Sequence, residues 1–213
     1  MKISFSEIAN KFSNYNRKRK YNNFINFFKP KINTKILDLG ASEKECQEYG
    51  NIIEKKYPYP ENITVLGIDN YKEFPKKYPK VKIVKYNGDV FPFKDKKFDI
   101  CWCNAVLEHV GNRDKQEKFL KEICRVAKAA FVTTPNRFFP FEVHTKILLL
   151  HYLPKKVFDK LLIKLGKRRA TSEYLYLFGL NEIITLLRRC DIKRFKIIKN
   201  RILGFVVDFV IIF

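Results

Sequence analysis

Acidic residues follow three successive apolar segments of the chain, and this arrangement is the part of the sequence best suited to chemistry. The segments end at Asp38, Asp69 and Asp89; Gly40 follows the first, and a fourth apolar segment ends at Asn104. If these segments are parallel neighbours in one sheet, their carboxyl ends open on the edge where such sheets bind ligands. A carboxylate after the second strand can accept both ribose hydroxyls, and one after the third can accept an adenine amino group. The pattern therefore predicts a nucleoside site.

The elements that must position these acids are strands alternating with helices. The predicted strands are Lys35–Leu39, Thr64–Ile68, Val81–Lys85, Phe98–Cys103 and Ala129–Thr133, followed by two closing strands, Lys193–Ile198 and Phe205–Ile212. Between the fourth and fifth strands, residues 112–128 carry one apolar stripe opposite a charged face, which is typical of a crossover helix. The alternation indicates an α/β domain with a mostly parallel sheet.

The flanking segments complete one predicted domain over residues 1–213. Apolar residues at helical spacing predict two short helices within residues 1–30, before a cofactor-binding core at 31–137. Residues 138–180 are unusually apolar and aromatic and predict an inserted cap that contains a basic amphipathic helix at 155–167. A closing helix is expected near Asn181, which is a suitable helix cap, before the final strands within 181–213.

Composition favours a globular cytoplasmic protein. The chain has 213 residues, enough for one well-buried core, and 46% of them are hydrophobic. The first residues have no apolar stretch of signal-peptide length, and no segment approaches the roughly 20 apolar residues of a membrane helix. The 5 cysteines form neither a C-x-x-C pair nor a secreted framework, which predicts reduced thiols and no metal site.

The net charge of +21 raises the possibility of a nucleic-acid or anionic-membrane partner. The lysines are spread along the chain and accompany abundant Ile, Asn, Phe and Tyr, as expected when an AT-rich genome biases residue choice. Nucleic acid is therefore a possible partner but not the favoured one.

Two consecutive motifs resemble the class I S-adenosylmethionine-dependent methyltransferases, in particular the type 11 group. The motifs are residues 88–93, Gly-Asp-Val-Phe-Pro-Phe, and residues 98–110, with a Phe-Asp strand and a Leu-Glu-His turn. The resemblance covers roughly residues 35–136. It implies a Rossmann-like three-layer sandwich whose seven-stranded, mostly parallel sheet has an antiparallel last strand. It also implies methyltransferase activity with S-adenosyl-L-methionine as the cofactor.

The same resemblance implies roles for the strand-end residues. Gly40 would lie against the methionine part of the cofactor, Asp69 would hold the ribose and Asp89 would lie by the adenine. The full set expected to bind the cofactor is Asp38, Gly40, Ala41, Ser42, Asp69, Asn70, Asp89, Val90 and Asn104.

The loop after the first strand departs from the family pattern Gly-x-Gly-x-Gly, because Ser42 and Lys44 stand where further glycines are usual. A nicotinamide enzyme fits worse, since Gly-x-Gly-x-x-Gly is missing and Asp69 follows Gly40 by 29 residues rather than about 20. A catalytically inactive binding protein on the same fold remains the alternative that Ser42 and Lys44 suggest.

The acceptor side of the site is less constrained. His109 follows the fourth strand and is the first candidate for a general base, and His144 in the predicted cap is the second. Asn104 is followed by Ala105-Val106 rather than by the Pro-Pro-aromatic turn of enzymes that methylate planar nitrogens. A small-molecule, sugar or lipid-linked acceptor is therefore favoured, with possible peripheral membrane contact through the apolar cap and its basic helix. An RNA methyltransferase is the alternative.

Overall fold

The computed structural model describes residues 5–45, 48–139, 141–142, 147–148, 160, 164 and 175–213. The first described element is a single helix, α1 (Phe5–Phe28), so the prediction of two short helices is wrong. No proline or glycine interrupts residues 5–28, and the helix ends where Lys29 adopts a left-handed conformation (φ 44°) before Pro30.

The described strands include a seven-stranded sheet, as predicted. Its order is β3-β2-β1-β4-β5-β9-β8, and β1 pairs in parallel with both β2 and β4, as does β2 with β3. Strands β8 and β9 are antiparallel to each other, and β6 pairs with β7 separately. The strands are β1 (Ile36–Leu39), β2 (Ile63–Gly67), β3 (Lys82–Lys85), β4 (Phe98–Asn104), β5 (Ala127–Pro135), β6 (Phe141–Glu142), β7 (Ile147–Leu148), β8 (Lys196–Ile202) and β9 (Phe205–Ile212).

Four further described helices connect the strands: α2 (Ile52–Lys56), α3 (Phe74–Lys77), α4 (Arg113–Val126) and α5 (Leu180–Arg189). The crossover helix α4 was predicted, although the chain enters β5 directly after it. Asn181 does not cap α5, because the helix begins at Leu180 with Gly179 as its N-cap. There the Glu182 carboxylate accepts a hydrogen bond from the Gly179 N–H at 2.7 Å.

The chain divides into two compact units. The first comprises Met1–Cys103 and Glu122–Phe131. Its core includes an aromatic cluster in which Trp102 stacks on Phe131 with ring centroids 5.2 Å apart, and Phe24 of α1 meets the Trp102 ring edge-on at 5.1 Å. Each such aromatic pair contributes about 1 kcal/mol beyond the burial of apolar surface. Through Phe24, α1 is part of this core.

The second unit comprises Asn104–Lys121 and Val132–Phe213. Arg113 of α4 joins its described elements, since the guanidinium lies 4.1 Å from the ring centroid of buried Phe178 and pairs with Glu182 at 2.8 Å. The strand pair β8–β9 ends in a tight turn at Leu203 and Gly204, both with positive φ. A two-residue turn of this kind fits the right-handed twist of the paired strands.

Most of the predicted cap lies outside the described residues, including His144 and all of the helix expected at 155–167 apart from residues 160 and 164. Among the residues that are described, no helix is long and apolar enough to cross a membrane. The described cysteines, Cys101, Cys103, Cys124 and Cys190, are free thiols.

Candidate active site

The loop after β1 closes without the usual series of glycines. Gly40 has φ 90°, a left-handed conformation that glycine adopts without strain. Beyond it, the Ser42 N–H donates to the Asn51 Oδ1 at 2.8 Å, and the Asn51 amide donates back to the Ser42 carbonyl at 2.8 Å. The Ser42 hydroxyl donates to the Lys44 carbonyl at 2.8 Å. Side-chain hydrogen bonds therefore fix the loop at the positions where the family pattern has glycine.

The same loop is bonded to the segment that follows β2. The Tyr71 hydroxyl donates to the Ala41 carbonyl at 2.9 Å, and its ring lies so close to Gly67 that a Cβ there would be 2.0 Å from the hydroxyl oxygen. A side chain at residue 67 would therefore have to displace the Tyr71 ring. Sequence reasoning did not single out Tyr71, because a tyrosine in a polar segment gives no signal of this contact.

Asp69 and Asn70 lie in this segment after β2, and both are exposed. The Asp69 carboxylate accepts no hydrogen bond from the described residues, so both of its oxygens are open to a ligand. The Asn70 side-chain oxygen accepts a hydrogen bond from the Lys85 ammonium group. Ile68 is 63% exposed beside Asp69 and offers an apolar surface next to the acid.

Asp89 and Val90 follow β3 and are also exposed, Val90 by 66%. The chain turns at Gly88, which has φ 94°, and the Asp89 N–H donates to the Asn87 Oδ1 at 3.2 Å. An exposed acid beside an exposed apolar side chain can accept from a base amino group while the side chain packs on the ring.

Arg125 holds the motif that follows Asp89. Its guanidinium donates to the carbonyls of Phe91 and Phe93 at 2.9 and 2.7 Å and to the Glu122 carboxylate at 2.7 Å. Glu122 in turn accepts the Phe91 N–H at 2.8 Å. This network fixes residues 91–93, whose two phenylalanines are buried. The Pro-Phe motif therefore anchors the chain directly after Asp89.

Asp38 differs from the other two acids because it is buried, with 3% of its surface exposed, against Glu54 of α2, which is 5% exposed. Burial, the charge of Glu54 and a hydrogen bond to that group raise the pKa of Asp38 well above its usual value. Burial also raises the pKa of Glu54. Burial thus favours the protonated form of both groups, because two adjacent buried charges would be costly. Glu54 was missed at the sequence level.

In the second unit, Asn104 and its neighbours form a polar turn. The Thr133 hydroxyl donates to the Asn104 Oδ1 at 2.8 Å, and the Ala105 N–H donates to the Thr133 carbonyl at 3.0 Å. Ala105 has φ 57°, an uncommon conformation for a residue with a side chain, and strain of this kind is frequent at functional sites.

The predicted base His109 ends a short 3₁₀ helix, Leu107–His109, and is exposed. Its neighbour Glu108 is fully buried and accepts a hydrogen bond from the Thr134 hydroxyl at 3.2 Å, while the Glu108 carbonyl accepts the Tyr176 N–H at 2.8 Å. In the Leu-Glu-His motif, Glu108 is therefore a buried structural residue, whereas His109 is open to solvent. Among the described residues, no group of three His, Cys, Asp or Glu side chains could hold a metal ion.

Glu45, at the end of the loop, gives a prediction about acid stability. Its carboxylate pairs with the ammonium groups of Lys55 and Lys77, each at 2.6 Å, and accepts from the Tyr78 hydroxyl. Burial raises the pKa of Glu45, but these bonds outweigh it and lower the pKa from 4.5 to about 2. Because the folded-state pKa is depressed, the stabilisation is present above pH 4.5 and is lost as pH falls toward 2.

We therefore expect Glu45→Gln to lower the free energy of unfolding by about 1 kcal/mol at pH 7, since water screens part of the interaction. Urea titrations at pH 7 and pH 3 check this. The difference between the wild type and the variant should shrink at pH 3, and an equal difference at both pH values would contradict the assignment.

The profile of a family described as methyltransferase domain, of type 11, matches residues 50–130 of this chain. This range contains Asp69, Asp89 and the Leu-Glu-His turn, but not the loop after β1. No curated protein shows significant sequence similarity to the chain.

Solved structures with the same fold are numerous, and those named here are distant in sequence. One is a SAM-dependent methyltransferase from Methanosarcina mazei, with TM-score 0.54 and 18% identity, over 85% of this chain and 92% of that one. Another is a possible histamine N-methyltransferase from Thermotoga maritima, with TM-score 0.59 and 14% identity, over 96% of this chain and 90% of that one. A third is the N-terminal domain of EvdMO1, solved in the presence of SAH and D-fucose, with TM-score 0.55 and 16% identity, over 92% of this chain and 81% of that one.

The strand order and the type 11 match agree with the resemblance inferred from the sequence: the fold is that of class I S-adenosylmethionine-dependent methyltransferases. Residues 50–130 match the type 11 methyltransferase domain. The match of residues 50–130 indicates S-adenosyl-L-methionine as the cofactor.

Proposed function

We propose that the protein transfers a methyl group from S-adenosylmethionine to a small polar acceptor, such as a sugar or a lipid-linked sugar. The observation that carries this proposal is the pair of exposed acids after β2 and β3, Asp69 and Asp89, each beside an exposed apolar side chain. Bound cofactor supplies a methyl group on a positively charged sulfur, which makes the carbon open to displacement by the acceptor.

The residues of the first unit suit the parts of this cofactor. Asp69 would accept hydrogen bonds from the two ribose hydroxyls, and Asn70 lies next to it. Asp89 would accept from the adenine amino group, while Val90 offers its exposed apolar surface to the ring. Gly40, Ala41 and Ser42 would face the methionine part, where a left-handed glycine leaves room for close approach. Asp38 would support this loop from the protein interior rather than contact the cofactor directly, since its carboxyl group is buried.

His109 is the proposed base for an acceptor that carries a proton, and Asn104 would face the ligand from the end of β4. An imidazole can take the proton of a hydroxyl as the methyl group arrives. His144 remains a second proposed base. For an acceptor without a proton, positioning by the site would be sufficient.

Two observations support a sugar-like acceptor. The turn after Asn104 lacks the Pro-Pro-aromatic sequence of enzymes that methylate planar nitrogens. A structure with this fold, the N-terminal domain of EvdMO1, was solved with D-fucose present. We also infer a cytoplasmic site of action, because the described cysteines are free thiols.

The experiment that tests the proposal uses a methyl-labelled donor. Purified protein is incubated with labelled S-adenosylmethionine and a cell extract, and label is measured separately in the small-molecule, lipid and RNA fractions. We expect label in the small-molecule or lipid fraction, and its loss with Asp69→Ala. The absence both of label and of saturable SAH binding would overturn the proposed activity.

RNA methylation is the second candidate, favoured by 43 basic residues against 22 acidic ones. Neutralisation of phosphates by lysine and arginine makes RNA affinity fall steeply with salt. Label in the RNA fraction, together with such salt dependence, would favour this acceptor over a sugar.

A further inference from the structure

We infer that Glu43 is a positioning residue of the cofactor site, which joins the loop after β1 to the segment after β2. This inference rests on the proposed function, because the two segments are those proposed to hold the methionine part and the ribose.

Glu43 makes this connection through backbone groups of the second segment. One carboxylate oxygen accepts the N–H groups of Lys72 and Glu73 at 2.8 and 2.7 Å, and the other accepts the Phe74 N–H at 3.2 Å. These three donors lie just before and at the first residue of the short helix α3, where no earlier turn of helix offers them a carbonyl. The N–H group of Glu73 first, with the other two, lowers the pKa of Glu43. The side chain is therefore held as a carboxylate.

The bonded residues lie close in sequence to the proposed cofactor residues Gly40 and Asp69. The donors begin three residues after Asp69, and Glu43 lies three residues after Gly40. The Tyr71 hydroxyl adds a second bond between the same segments through the Ala41 carbonyl. A ligand that touches both Gly40 and Asp69 therefore meets two segments whose separation is already fixed by Glu43 and Tyr71.

Glu43 also accounts for the unusual composition of the loop. A series of glycines lets a loop adopt the required backbone but leaves it with more conformational freedom to lose. Here Ser42 is fixed by Asn51 and Glu43 is fixed by three N–H groups, so the loop is ordered before a ligand arrives. Order that exists before binding increases affinity, because less entropy is lost on binding.

The test compares two ligands, one with the amino-acid part of the cofactor and one without it. SAH contacts both segments, whereas adenosine lacks the methionine part and depends on the Asp69 side alone. We expect Glu43→Ala to weaken SAH binding about tenfold and adenosine binding less than threefold, measured by isothermal titration calorimetry. Glu43→Gln should lie between, because its amide oxygen still accepts hydrogen bonds.

Glu73→Gln is the matched control, since it changes the same segment but its side chain is 71% exposed and pairs only with Lys76 among the described residues. It should leave both affinities unchanged. Hydrogen exchange at the amides of residues 72–74 should accelerate in Glu43→Ala and not in the control, which reports the lost bonds independently of any ligand.

The outcomes separate the possible failures. Unchanged SAH affinity in Glu43→Ala, or an equal loss for SAH and adenosine, would overturn the positioning role while leaving the proposed function intact. Failure of the wild type to bind SAH would overturn the proposed function and this inference together.

Discussion

Replacement of Asp69 by alanine is expected to weaken SAH binding about 100-fold. The carboxylate is exposed after β2 and would accept two ribose hydroxyls, and a hydrogen bond to a charged group contributes about 1.5 kcal/mol or more. Loss of two such bonds corresponds to about 3 kcal/mol, or roughly two powers of ten in affinity. Isothermal titration calorimetry with SAH measures it directly.

The stability of Asp69→Ala should be close to that of the wild type, because its carboxylate accepts no hydrogen bond from the described part of the chain. Glu61→Ala is a suitable control, since Glu61 is also an exposed acid of the first unit. The control should bind SAH as the wild type does. An Asp69→Ala protein that retains full SAH affinity would remove Asp69 from the cofactor site.

The elements that carry Asp69 and Asp89 could be predicted because each has a local signature. A short apolar run followed by an acid or a glycine identifies β1, β2 and the turn before Asp89 from neighbouring residues alone. The strand β9 was predicted at its observed bounds, Phe205–Ile212, for the same reason. Parallel pairing then follows from the alternation with helices.

Contacts between segments distant in sequence could not be predicted in this way. Glu43 bonds to residues 29 to 31 positions further on, and Glu122 and Arg125 hold a motif about 30 residues before them. A glutamate in a polar loop has the same sequence signature whether it faces water or accepts three N–H groups. The prediction of two N-terminal helices was wrong, and the packing of Phe24 of this helix against Trp102 is likewise a contact between distant residues that the local pattern does not reveal.

The buried pair Asp38 and Glu54 leads to the second large prediction: Glu54→Gln should stabilise the protein at neutral pH. Neither Glu54 oxygen accepts from an amide, hydroxyl or amine of the described residues. An unsatisfied buried charged group costs about 1–3 kcal/mol or more. A glutamine keeps the shape, removes one ionisable group and can donate its amide hydrogen to Asp38. We expect a gain of about 2 kcal/mol at pH 7.5.

The pH dependence identifies the cause of that gain. Because burial raises the folded-state pKa of both acids, the folded wild type holds its protons more tightly than the unfolded chain does. Wild-type stability is therefore fullest below the unfolded-state pKa values near 4 and falls as pH rises above them. The gain from Glu54→Gln should thus be large at pH 7.5 and small at pH 4.5, in urea titrations of both proteins.

Glu61→Gln provides the comparison, because Glu61 is exposed in the turn before β2. It should change stability little at either pH. A loss of stability in Glu54→Gln at pH 7.5 would mean that the Glu54 carboxylate is needed in its charged form. An SAH affinity that also fell would then extend the cofactor site from the exposed loop at Gly40 to the acid pair beneath it.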